Sequence, residues 1–222
     1  MLSQPSMRNQ SSGSLFMKRS RRNLKKLGNF LDLQEAMRVG RRTVRQGLYG
    51  IDEYCPEDVP ADVTVRPLRD EDWPAVRRIY GEGIATGTAT FETAVPSRAT
   101  LDAKWIPDQR WVAELDGEIV GWAAATPVST RDCYSGVAET SIYVADGHRG
   151  RGIGKALIRQ QVIALDEAGY WTLQTSIFTE NRASLALHHS AGYRTIGIRE
   201  RIAQRNGTWH DTVFLERRNN IT

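Results

Sequence analysis

Arg149-Gly150-Arg151-Gly152-Ile153-Gly154 packs three glycines and two guanidinium groups into six residues. The segment follows an apolar run, Ile142-Tyr143-Val144-Ala145, and opens a stretch of helical periodicity at Ile153. Glycine removes the Cβ that would hold an anion away from the backbone. A helix start adds unpaired N–H groups and a partial positive charge. A strand, loop and helix joined in this way can seat a pyrophosphate on main-chain amides. The spacing is neither that of a Walker loop nor that of the dinucleotide Gly-x-Gly-x-x-Gly. The plainer reading is a strand–turn–helix with an exposed Arg/Gly loop. Glu139 stands near the start of the strand that feeds this loop, and it shares a face with Ser141 and Tyr143. Such a carboxylate is either a water-facing edge charge or a general base, acting directly or through water. Cys133 offers a nucleophile nearby in sequence, but no Cys–His spacing or elbow motif supports one.

The elements that would position these groups are readable. A short alternating strand covers 63–68 and a helix covers 69–85, with Asp72 as its N-cap and Pro74 in its first turn. Residues 111–115 and 119–125 form a hairpin across Asp116-Gly117. A strand over 139–144, a helix over 153–168 stopped by Gly169, and a strand over 171–178 follow. A short helix covers 182–191, and 195–202 with 208–216 close a last hairpin around Asn206-Gly207. The order β-α-(α)-β-β-β-α-β-α-β-β predicts a mixed, twisted α/β sheet, antiparallel at its start, with helices on both faces.

The chain has 222 residues, 40% of them hydrophobic and 25% charged, which suits one globular domain with an appendage. No apolar run approaches the ~20 residues of a membrane span, and no secretory segment is visible. Two cysteines, Cys55 and Cys133, make neither a disulfide framework nor a metal cluster, so a reducing cytoplasm is expected and no metal is implied. The net charge of +4 is uneven. Residues 1–50 carry 11 Lys/Arg against 2 Asp/Glu, and the remainder carries 19 against 24. The chain thus divides into a basic extension and linker over 1–62 and a domain over 63–218. Residues 1–14 read as disordered, 18–26 as a basic cluster, 24–48 as a possible helix, and 51–62 as an acidic linker with Pro56 and Pro60. The arm could be a solvated tail, a transit sequence, a tether for nucleic acid, an acidic partner or an anionic membrane surface, or the product of an upstream start, with Met17 or Met37 as the true one.

The loop, with its strand and helix, resembles motif A of the GCN5-related N-acetyltransferases (the GNAT family), and the likeness extends over about 63–217. Residues 181–193, Asn181-Arg182-Ala183-Ser184-Leu185-Ala186-Leu187-His188-His189-Ser190-Ala191-Gly192-Tyr193, resemble its motif B. Histidine at the position of His188, where many relatives have tyrosine, resembles the phosphinothricin and amino-acid branch. Trp209-His210-Asp211 and Thr88-Ala89-Thr90-Phe91 resemble two further segments of that branch. The resemblance implies a GNAT fold and acetyl-CoA as co-substrate. It implies that Arg149, Gly150, Arg151, Gly152, Ile153 and Gly154 hold the pyrophosphate, and that Ile142, Tyr143 and Val144 meet the thioester. Asn181 and Ser184 would contact the pantetheine arm. Glu139 and His188 would form the acid–base pair, while Thr90, Phe91, Trp209 and His210 would line the acceptor site. Acetyl would pass by direct attack to the amine of a small amino acid or analogue, such as phosphinothricin, methionine sulfoximine or methionine sulfone. A homodimer is also implied. Two alternatives remain open: another acceptor (a polyamine, an aminoglycoside or a protein amine), and a polyanion-binding protein with a degenerate enzyme domain.

Overall fold

The computed structural model describes residues 62–219. The readings placed on residues 1–61 lie outside the described residues. Seven strands form a single sheet in the order β1-β2-β3-β4-β5-β7-β6. They are β1 (Val63–Pro67), β2 (Arg110–Leu115), β3 (Glu118–Pro127), β4 (Val137–Val144), β5 (Thr172–Phe178), β6 (Arg194–Arg205) and β7 (Thr208–Arg218). The α-helices among the described residues are α1 (Trp73–Ala85), α2 (Arg98–Lys104), α3 (Ile153–Glu167) and α4 (Arg182–Ser190). Every neighbouring strand pair is antiparallel except β4 with β5. The expected element order and mixed sheet are both present.

Strand alternation explains why both faces are covered. Val112, Trp122 and Ala124 point to one face and pack with Trp73, Val76, Ile79 and Tyr80 of α1 and Leu101 of α2. Their neighbours Ala113 and Ala123 point to the other and pack with Ile153 and Leu157 of α3. Ala138, Leu173 and Leu215 continue that second face under α3 and α4. β3 is therefore buried along nearly its whole length, whereas the edge strand β6 is largely exposed. The tight turns at Asp116-Gly117 and Asn206-Gly207 fall where expected, each with two successive positive φ values. Gly121 of β3 lets α3 approach closely, since a Cβ there would stand 2.9 Å from Leu157.

One local expectation is corrected. Asp72 precedes α1 in sequence, but its side chain does not cap the helix. The preceding residues 70–72 form a 3-10 turn, and Asp72 accepts from the Arg69 backbone N–H at 2.7 Å. It also forms a two-pronged ion pair with Arg66 of β1, at 2.7 and 2.9 Å. Asp72 is 3% exposed, and Arg66 also reaches Glu114 of β2. The pair holds the start of α1 against the sheet edge, and hydrogen bonds from the guanidinium keep the Asp72 carboxyl below the usual carboxylate range despite its burial.

Candidate active site

β4 and β5 pair over three positions only, ending at Glu139 opposite Gln174. Both strands continue, β4 to Val144 and β5 to Phe178, so they splay apart beyond that point. On its other side β4 stays paired with β3 as far as Val144. The Ala145 N–H then donates to Val120 O at 2.8 Å. Main-chain groups alternate sides along an antiparallel strand. The peptide N–H groups of Ile142 and Val144 therefore face the splay, while that of Tyr143 faces β3.

The glycine loop lies just past this opening. Gly150 and Gly152 have φ of 76° and 80°, a left-handed conformation that ordinary side chains resist. A Cβ on Gly150 would meet open space. Gly152 is the N-cap of α3, and no side chain caps that helix start. Arg149 and Arg151 are exposed, and Arg149 Nε donates to Val144 O at 3.4 Å. This cradle of amides and guanidinium groups fits a diphosphate. Two of the six loop residues also serve packing. Ile153 is 1% exposed with its side chain in the core, so only its main chain could face a ligand. Gly154 admits Leu187 of α4, which would stand 3.1 Å from a Cβ at that position.

Glu139, Ser141 and Tyr143 share one face of β4, as the alternation required. They line a cleft with Tyr80 of α1, Thr100, Leu101 and Lys104 of α2, Trp105, Trp122 and Thr126 of β3, and the loop residues Glu92 and Pro96. The cleft floor is aromatic. Trp122 stacks on Tyr143 at 4.5 Å and meets Trp105 at a tilt at 4.9 Å, and Tyr80 meets Tyr143 edge-on at 4.9 Å. Burial pushes the Tyr143 hydroxyl well above its ordinary range, so it stays protonated and donates to Ala89 O.

His188 lies on the opposite face of the sheet. It is 3% exposed and meets Tyr193 edge-on at 5.1 Å. The Tyr193 hydroxyl shares a 3.0 Å hydrogen bond with Thr140, the first β4 residue past the paired stretch. The His188 Nδ1 stands 2.8 Å from Ser184 O. A carbonyl only accepts, so Nδ1 carries the proton and Nε2 is a bare acceptor. Nε2 is buried without a partner among the described residues. Burial pushes the ring down to about 4, so it is neutral at physiological pH. A neutral ring with a bare Nε2 cannot act as a proton donor there.

A ring whose folded pKa lies below its ordinary 6.5 resists protonation only in the folded state. Its contribution to stability is full above about pH 6.5 and is lost as pH falls toward about 4, and it amounts to about 3 kcal/mol. Urea unfolding from pH 7 to 4 should therefore show a steeper loss in the wild type than in His188→Leu. Parallel curves would contradict the burial argument.

Asn181 caps α4, its Oδ1 accepting from Ser184 N at 3.2 Å, and its Nδ2 reaches Thr88 O at 3.4 Å. Phe91 packs on Phe178 at 4.6 Å and faces His210 at 6.2 Å. The structure thus gathers Phe91 and His210 across the splay from the cleft. Trp209 is 53% exposed, and as the strand neighbour of His210 it points to the other face. Cys133 is exposed in a short 3-10 turn. Among the described residues no group of three or more His, Cys, Asp or Glu could hold a metal. No helix there is long and apolar enough to cross a membrane.

The sequence reading missed Glu92, Lys104 and Trp105. Glu92 directly follows Phe91 and was within reach of that motif. Lys104 and Trp105 join the cleft only through the packing of α2 on the sheet, which carries no local signal.

The profile of the Acetyltransferase (GNAT) family matches residues 71–193. A phosphinothricin N-acetyltransferase of Alcaligenes faecalis is 35% identical over 161 residues, covering 69% of this chain and 81% of the relative. An L-methionine sulfoximine/L-methionine sulfone acetyltransferase of Pseudomonas paraeruginosa is 27% identical, covering 69% and 92%. The crystal structure of a GNAT-superfamily phosphinothricin acetyltransferase from Sinorhizobium meliloti, in complex with acetyl-CoA, superposes with a TM-score of 0.65 at 29% identity. It covers 71% of this chain and 88% of that one. The chain belongs to the GNAT acetyltransferase family, and its similarities run to the phosphinothricin and amino-acid branch.

Proposed function

We propose that the protein transfers acetyl from acetyl-CoA to the α-amine of a small amino acid or analogue. The observation that carries the reading is the splay of β4 from β5 between a glycine cradle and an unengaged carboxylate. Glu139 makes no ion pair or side-chain hydrogen bond among the described residues, and it faces the cleft rather than bulk packing. The relatives named above act on phosphinothricin and methionine sulfoximine or sulfone, which are small amino-acid analogues.

When bound, acetyl-CoA supplies a thioester carbonyl. The amides at the start of α3 and in the loop hold the diphosphate. The Ile142 or Val144 N–H donates to the carbonyl oxygen as negative charge develops on it. Glu139 would accept a proton from the incoming ammonium, directly or through one water. The free amine would form the new N–C bond, the C–S bond would break, and CoA would leave as a thiolate that takes its proton from solvent. His188 orients the α4 end of the site as a neutral acceptor and is not the proton donor. Asn181 and Ser184 face the pantetheine arm, and Phe91 and His210 bound the acceptor side.

A homodimer belongs to this reading. β6 is an edge strand of 12 residues with Ile196, Ile198 and Ile202 exposed, and Trp209 lies exposed beside it on β7. Such an apolar edge calls for cover. Light scattering should give a dimer for the wild type and a monomer for Ile198→Glu. A monomeric wild type would remove this part of the reading.

The reading as a whole is tested by acetyl-CoA consumption with phosphinothricin, methionine sulfone and natural amino acids. Turnover with these acceptors supports it, and turnover with polyamines alone would replace it.

A further inference from the structure

The cleft on the α1/α2 face carries charges of both signs above an aromatic floor. Glu92 and Glu139 supply two carboxylates, and among the described residues of the lining Lys104 at the end of α2 supplies the ammonium. Lys104 makes no ion pair among the described residues. Trp122, on the cleft floor, is 1% exposed, and its indole N–H is buried without a partner. A buried donor left unpaired is unfavourable unless a ligand completes it. Lys104 at the end of α2 and the Trp122 indole are thus two donors of the lining with no partner among the described residues. The unengaged carboxylate of Glu139 comes from β4, beside the splay.

We propose that this cleft is a zwitterion subsite in which Lys104 and the Trp122 indole N–H take the acceptor's carboxylate while Glu139, with Glu92 beside it, takes its ammonium. The inference rests on the proposed amino-acid acetyltransferase activity and adds the residues that choose the acceptor. A carboxylate held by an ammonium and an N–H is fixed in place. The amine one carbon away is then fixed relative to Glu139 and to the thioester. A polyamine gives Lys104 a like charge to face, so the same group that draws amino acids in turns cations away. Trp122 also stacks on Tyr143, which ties the cleft floor to the strand that meets the thioester.

The test compares methionine sulfone with its carboxamide as acceptors, in the full-length wild type and in Lys104→Gln. KM and kcat are measured at saturating acetyl-CoA, and acetyl-CoA affinity is measured separately by calorimetry. The wild type should prefer the carboxylate. In Lys104→Gln the KM for methionine sulfone should rise about tenfold or more, and the preference over the carboxamide should collapse. The KM for acetyl-CoA should hold. Lys104→Arg should restore much of the preference, a rescue that a merely structural role would not show. An unchanged preference in Lys104→Gln, with the wild type active on methionine sulfone, would overturn the subsite and leave the activity standing. A wild type that acetylates no zwitterion, yet accepts uncharged or polycationic amines, would overturn both.

Discussion

Glu139→Gln should lower kcat about 10²–10⁴-fold while acetyl-CoA affinity stays within about twofold. An amine attacks a carbonyl only as the free base, and near neutral pH an alkyl amine is mostly protonated. A carboxylate at the rim of the splay would remove that proton where the attack is proposed to occur. Glu139 suits the task by placement: it ends the paired stretch of β4 and β5 and lines the cleft with Ser141 and Tyr143. The amide keeps the shape and cannot take a proton. The glycine loop lies beyond the far end of β4, so binding of acetyl-CoA there should be untouched. The pH–rate profile gives the second readout. The wild type should lose activity as pH falls, whereas Glu139→Gln should recover activity steadily with rising pH as free amine accumulates. A variant with near-wild-type kcat at neutral pH would remove Glu139 from the mechanism.

Gly152→Val should weaken acetyl-CoA binding about tenfold or more, or about 1.4 kcal/mol. Gly152 has φ of 80° at the N-cap of α3, where a β-branched residue is strained by about 1–3 kcal/mol. The strain turns the first amides of α3 away from the ligand, and the added side chain fills the cradle. Loss of binding through misfolding is separated by Gly150→Asn. Asparagine tolerates the left-handed conformation of that position, and the space around it is open, with nothing within 4 Å of a Cβ. Gly150→Asn should keep the melting temperature and still lose affinity, because its side chain stands where the diphosphate would lie. Wild-type affinity in both variants would move the cofactor elsewhere.

Much of this architecture was legible because its signals are local. Asp116-Gly117 and Asn206-Gly207 dictate tight turns whatever surrounds them, and alternation along 139–143 fixes which side chains share a face. The glycine turns at Gly150 and Gly152 were legible for the same reason. Features set by packing were not. Asp72 has the residue type and position of a helix cap, and only the arrival of Arg66 from β1 shows that it serves an ion pair instead. Gly154 reads as part of the anion loop, and its second constraint, room for Leu187 of α4, carries no local signal. Glu139 and His188 read as partners, yet strand alternation and the docking of α4 place them on opposite faces with the splay between them. The protonation of His188 was equally invisible, since it follows from burial and from the Ser184 carbonyl. Lys104 carried no motif at all.

The measurement that bears most directly on the central claim is calorimetric titration of the purified chain with acetyl-CoA, followed by release of free CoA on adding phosphinothricin or methionine sulfone. Saturable one-site binding is expected, then CoA release that depends on the acceptor and is lost in Glu139→Gln. No heat of binding with acetyl-CoA, or binding with no CoA release for any small amino acid or analogue, would contradict it.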